Sequence, residues 1–139
     1  MQDIGSVLES VVAWSRTLRQ ARSSPFGDIR LTPSQVETLF FISHALGPVT
    51  PSSIATALAV TPGAITQLVD GLRREGLVET GPHPDDARSR ILTLTESAAS
   101  QAAVFERQLT EKLASQFDPL TDKQLAELAE LLDRTRRTP

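Results

Sequence analysis

Ile4, Val7, Leu8, Val11, Val12 and Leu18 fall at spacings of three and four, the stripe of an amphipathic helix over about residues 3–22. Ser23-Ser24-Pro25-Phe26-Gly27 interrupts the pattern with loop-forming residues. A helix start then follows at Thr32-Pro33-Ser34-Gln35. Thr32 is placed to cap, Pro33 to occupy the first helical position, and Gln35 to complete a capping box. The second helix carries Val36, Leu39, Phe40 and Ile42 and is expected to end near Gly47-Pro48. The same Thr-Pro grammar returns at Thr50-Pro51, ahead of Ile54, Ala55 and Leu58, and again at Thr61-Pro62. The helix from Pro62 sets Ile65, Leu68, Val69 and Leu72 on one face and stops at Gly76.

Beyond Gly76 the period shortens. Leu77-Val78-Glu79-Thr80 and Arg90-Ile91-Leu92-Thr93-Leu94-Thr95 read as two strands, joined by a charged tip from Pro82 to Ser89. Thr95-Glu96 opens a long helix to about Gln116 through Ala102, Phe105, Leu109 and Leu113. Thr121-Asp122-Lys123-Gln124 caps a last helix with Leu125, Leu128 and Leu132. The order is α-α-α-α-β-β-α-α, mainly α with a small β-hairpin.

A short helix, a tight turn, a second helix and then a hairpin is the layout of a winged helix-turn-helix, whose second helix enters the DNA major groove. Groove insertion needs a helix backed by apolar side chains, with small residues at its leading turn and polar groups for base edges. Residues 62–74 supply these: Gly63, Ala64, Gln67, Asp70 and Arg74 lie on the face opposite the apolar one. The helix start at Thr61-Pro62 also directs unpaired backbone N–H groups outward, which suits a phosphate. Arg88 and Arg90 on the hairpin are candidate DNA contacts, with Asp86 shaping the turn that carries them.

With 139 residues, 40% hydrophobic and 22% charged, the chain matches one ordinary globular domain spanning 1–139. Within it, about 31–95 would form the winged unit, and about 1–22 and 96–139 a helical dimerisation part. The apolar stripes of residues 4–18 and 125–132 lie outside a winged unit that already has its own core, so they call for a second copy of the chain. The absence of cysteine excludes disulfides, thiolate zinc sites and thiol redox sensing. His44 and His83 are too isolated for a metal site, and nothing implies a cofactor. With no tyrosine, no histidine paired with a nucleophile and no glycine-rich phosphate loop, an enzyme is not expected. No stretch reads as a membrane span or a signal peptide, which predicts a cytoplasmic protein.

The net charge of −3 runs against the usual basic footprint of a nucleic-acid binder. Residues 61–95 carry five acids against four bases, so no basic segment compensates. The alternative it favours is a winged helix that binds protein and not DNA. Salt-dependent retention on duplex DNA separates the two.

Leu58 through Asp70, Leu72 through Gly76-Leu77-Val78, and Asp86-Ala87-Arg88-Ser89 followed by Leu94-Thr95 together resemble the multiple antibiotic resistance regulator (MarR) family of bacterial winged-helix regulators. Leu31-Thr32 with Gln35 and Leu39 is similar to the start of that family's second helix. The resemblance covers nearly the whole chain. It implies that Gly63, Ala64, Thr66 and Gln67 face the major groove of double-stranded DNA and that Arg88 enters the minor groove. It further implies a homodimer built from the terminal helices and, in many members, a small aromatic or phenolic effector that weakens DNA binding. A dimer would set two recognition helices about one DNA turn apart, so a repressor acting on an imperfect palindromic operator is expected. Trp14, Arg16, Phe40, Phe41, His44 and Phe105 are the residues placed to contact such a ligand, though the aromatic ones also read as core. Three departures stand out: Ala59 occupies a turn position that is often Gly, Gln67 and Gly71 replace residues that are often Arg, and Ala98 replaces a common Gly.

Overall fold

The computed structural model describes residues 2–21, 26 and 29–136. The elements run α1 (Gln2–Ala21), α2 (Pro33–His44), α3 (Pro51–Leu58), α4 (Pro62–Arg74), β1 (Val78–Pro82), β2 (Arg90–Leu94), α5 (Glu96–Leu113), a short 3₁₀ turn (Ala114–Phe117) and α6 (Asp122–Arg136). Arg22 and most of the loop expected at 23–27 lie outside the described residues. Two compact units emerge, one of residues 1–22 with 107–139 and one of residues 23–106.

The unit of residues 23–106 is the winged helix. All three Thr-Pro starts form as their chemistry dictates. The Thr32 hydroxyl accepts from Gln35 N at 3.2 Å while Thr32 N donates to Gln35 Oε1 at 2.9 Å, the reciprocal pair of a capping box. Thr50 and Ser53 repeat it, and Thr61 Oγ1 accepts from Ala64 N at 3.2 Å. Helix α2 ends at His44, short of Gly47-Pro48. Ala45 turns extended there, and the freed segment brings Val49 O within 2.8 Å of Leu92 N on β2. The hairpin is antiparallel, pairing Val78 with Leu94 and Thr80 with Leu92. Leu39, Ile54, Ile65, Leu72, Leu77 and Leu92 make the center of the core, joined from α5 by Ala98 and Ala102. Thr38, the buried polar residue among them, donates to Ser34 O at 2.8 Å, so no hydroxyl is left unpaired there.

Two of the departures seen in the sequence have a structural consequence. Ala59, which ends α3, sits in the left-handed region at φ 53, where a Cβ is strained and Gly is the easier residue. Ala59→Gly is therefore expected to gain about 0.5–1 kcal/mol, the relief of backbone strain exceeding the added freedom of the unfolded chain. A denaturant midpoint that fell would contradict this. At Gly71, a Cβ would meet Gln35 Nε2 at 3.0 Å, and that amide is already held by the α2 capping box. Helices α2 and α4 approach closely at this point, and a long side chain at position 71 would have to displace Gln35.

In the other unit, α1 and α6 are amphipathic, and the last part of α5 adds Leu113. Trp14 stacks on Phe117 with ring centroids 5.0 Å apart at 22°. Helix α5 ends at Leu113 and not near Gln116, because the chain tightens into a 3₁₀ turn over Ala114–Phe117, ahead of Asp118-Pro119. The Thr121 capping box forms with Gln124. No single described helix is long and apolar enough to cross a membrane.

Candidate nucleic-acid interface

The leading turn of α4 is where a winged helix meets a groove, and its chemistry follows from its two faces. Ile65, Val69 and Leu72 are buried, so the helix is pinned to the core along one stripe. The opposite face leaves Gly63, Ala64, Thr66, Gln67, Asp70, Arg73 and Arg74 exposed. Nothing lies within 4 Å of a Cβ built on Gly63, so close backbone approach is open at that point. The Thr66 hydroxyl donates to Pro62 O at 3.1 Å, leaving its lone pairs outward. Gln67, Asp70, Arg73 and Arg74 line one open concavity, and Ser52, Thr56 and Thr66 line a second between the leading turns of α3 and α4. Arg73, Ser52 and Thr56 were not singled out from the sequence. The available signal was spacing, since Arg73 stands three residues beyond Asp70 on the same helix.

The wing is organised by one carboxylate. Asp86 Oδ1 accepts from Arg88 N at 3.0 Å and Oδ2 from Ser89 Oγ at 3.1 Å, while Ser89 N donates to Asp86 O at 3.1 Å. His83 N donates to Ser89 O at 3.2 Å, and His83 Nδ1 accepts from Asp85 N at 3.0 Å. The turn is thus fixed from within, and Arg88 stands exposed at its tip with no side-chain partner among the described residues. Arg90 differs: its guanidinium Nη2 donates to Thr80 Oγ1 at 3.3 Å, lying across the hairpin.

The Arg88 N–H and then the Ser89 hydroxyl, with a smaller contribution from His83, hold the Asp86 carboxyl below its ordinary value. A carboxyl with a depressed folded-state pKa stabilises the turn above its unfolded pKa, and that contribution is lost as pH falls through the folded pKa. The Arg88 amide resonance is therefore expected to titrate in acid with a midpoint below the usual carboxylate range, and Asp86→Asn should abolish that titration. An unchanged Arg88 titration in Asp86→Asn would contradict the assignment.

The residues suggested as ligand contacts fall in both units. Phe40 and Phe105 meet at 5.5 Å between ring centroids in the winged unit. There too His44 Nε2 pairs with the Glu106 carboxylate, and Phe41 packs on the core. Trp14 and Arg16 belong to the other unit, where Trp14 is taken up by Phe117 and Arg16 is exposed. Among the described residues, no cluster of His, Asp or Glu could hold a metal ion.

Comparison with known proteins gives this face a family. Residues 31–89 match the family model described as MarR family. An uncharacterised HTH-type transcriptional regulator of Mycobacterium bovis is 30% identical over 112 residues, covering 80% of this chain and 74% of that protein. The multiple antibiotic resistance protein MarR of Salmonella typhimurium is 34% identical over 70 residues, 50% of this chain and 48% of that protein. Among solved structures, FabT of Streptococcus pneumoniae in complex with DNA superposes with a TM-score of 0.68 at 25% identity, covering 96% of this chain and 93% of that one. A hairpin ordered beside a helix with an outward polar face, on a chain with these relatives, is a regulator's DNA-binding unit and not an enzyme's active site: the chain belongs to the MarR family of winged helix-turn-helix, DNA-binding transcriptional regulators.

Proposed function

We propose that the chain is a homodimeric repressor that binds an imperfect palindromic operator, with α4 in successive major grooves and the wing in the flanking minor grooves. The observation that carries the DNA contacts is the pairing of an outward α4 face with a pre-ordered wing. Gln67 and Arg88 are exposed and without side-chain partners among the described residues, while Thr61 caps the turn ahead of Gln67 and Asp86 holds the backbone of Arg88. Pre-organisation of this kind lowers the ordering cost of binding. The dimer is supported by apolar side chains left exposed on α1 and α6, among them Val7, Leu8, Val12, Leu131 and Leu132. Two copies related by a two-fold axis set their recognition helices about one DNA turn apart, which makes the operator palindromic.

Gln67 and Arg88 have different roles, and their variants should differ in kind. Gln67→Ala is expected to relax base preference at one position per half-site, because a Gln amide pairs bidentately with adenine at about 1–3 kcal/mol of discrimination. Arg88→Ala is expected to weaken binding to all duplexes and to flatten its salt dependence, because the wing meets phosphate potential in the minor groove. Thr61, Pro62, Gly63, Ala64 and Thr66 serve the close approach of the leading turn, and Arg74 and Arg90 serve phosphates. Arg88→Ala binding every tested duplex with unchanged affinity and salt slope would remove the wing from this account.

For the effector, we propose a small aromatic or phenolic anion that weakens operator binding. The four contact residues in the winged unit, Phe40, Phe41, His44 and Phe105, offer apolar walls and a polar anchor. Titrating salicylate into the protein–operator complex is the check, with release of DNA at millimolar ligand as the supporting result.

A further inference from the structure

Asp70 is out of keeping with a surface that meets a polyanion. It is exposed on the outward face of α4, and it makes no ion pair with Arg73 or Arg74 at i+3 and i+4. Neither arginine neutralises it in place, so on docking its charge must be satisfied by DNA or be repelled by it. The chemistry of the major groove narrows what could satisfy it. A carboxylate only accepts hydrogen bonds. Guanine presents two acceptors there, thymine an acceptor and a methyl group, and adenine a donor beside an acceptor. Against adenine, one carboxylate oxygen would take the amino group and the other would face the N7 lone pair. Cytosine alone offers an amino donor with no competing acceptor on the same base edge.

Geometry then gives the register. Asp70 follows Gln67 by three residues on the same exposed side, about 4.5 Å along the helix axis, close to the spacing of about 3.4 Å between successive bases. Given the operator-binding reading above, on which this rests, we propose that Asp70 is a specificity-determining residue that accepts a hydrogen bond from the exocyclic amino group of a cytosine, one step from the base read by Gln67. The same carboxylate rejects any other base at that position. Arg73 and Arg74, free of Asp70, remain available for the phosphates on either side. The acidic charge thus trades general affinity for selectivity, in a protein whose net charge of −3 already keeps nonspecific binding weak.

The test is selection of bound duplexes from a random pool by the wild type, Asp70→Ala and Asp70→Asn. The wild type is expected to enrich cytosine at one position in each half-site. Asp70→Ala is expected to lose the preference at that position alone, on the order of tenfold, while binding random duplex more tightly than the wild type. Asp70→Asn is expected to switch the position to adenine, which an amide can pair with bidentately. A duplex carrying 2-pyrimidinone at that position lacks only the amino group. It should weaken wild-type binding and leave Asp70→Ala unaffected. If the wild type enriches a motif and both variants select the same bases at every position, the proposal is overturned and the operator reading stands. If the wild type enriches nothing, the operator reading falls and this one with it.

Discussion

Val12→Glu combined with Leu131→Glu is expected to give a folded monomer whose affinity for a two-half-site duplex falls by about 10²–10⁴-fold. Val12 is 61% exposed and Leu131 54% exposed in the single chain, so a carboxylate at either position costs the isolated unit little. In a dimer built on these faces, each new charge is desolvated against apolar side chains of the other copy without a partner. Such burial is costly enough to break the association. The loss on DNA then follows from avidity, because one recognition helix no longer holds the other near its half-site. Light scattering reads the mass, and binding to a duplex with one half-site serves as the control for folding, since that affinity should be preserved. A variant that remains dimeric would exclude these faces as the interface.

Leu72→Ala should destabilise the winged unit by about 3–4 kcal/mol, within the range for truncating a buried leucine. Leu72 is fully buried, and with Ile65 and Val69 it forms the stripe that seats α4. The cavity would open directly behind the recognition helix. Against a total stability of about 5–15 kcal/mol, that loss is large enough to read as a clear fall in denaturant midpoint with an unchanged slope. A change below about 1 kcal/mol would mean that the helix is not held by this contact.

Much of the architecture was legible because it rests on short-range chemistry. Thr-Pro determines a helix start within four residues, and all three such starts in the winged unit formed, two of them with a Gln or Ser completing a capping box. The wing turn was legible for the same reason: Asp86 bonds groups two and three residues away. What periodicity could not supply was anything joining distant parts of the chain. Gln35 lying against Gly71, His44 pairing with Glu106 and Trp14 stacking on Phe117 are separated by 36, 62 and 103 residues. The six residues grouped as ligand contacts shared only an aromatic or polar character, and the structure distributes them over two units. Backbone strain was hidden as well. Ala59 differs from glycine by one methyl group, and only its φ of 53 reveals why the smaller residue suits that turn.

Duplex-DNA binding through α4 and the wing is the expected behaviour of this acidic chain. It is tested most directly by measuring the equilibrium constant for a duplex recovered from a random pool across a range of salt concentrations, for the wild type and for Arg88→Ala. The expected result is a linear fall of log K with log salt concentration, with a slope of about −0.9 for each phosphate neutralised and a measurably smaller slope in Arg88→Ala. Retention that does not vary with salt, or equal slopes for the two proteins, would contradict it.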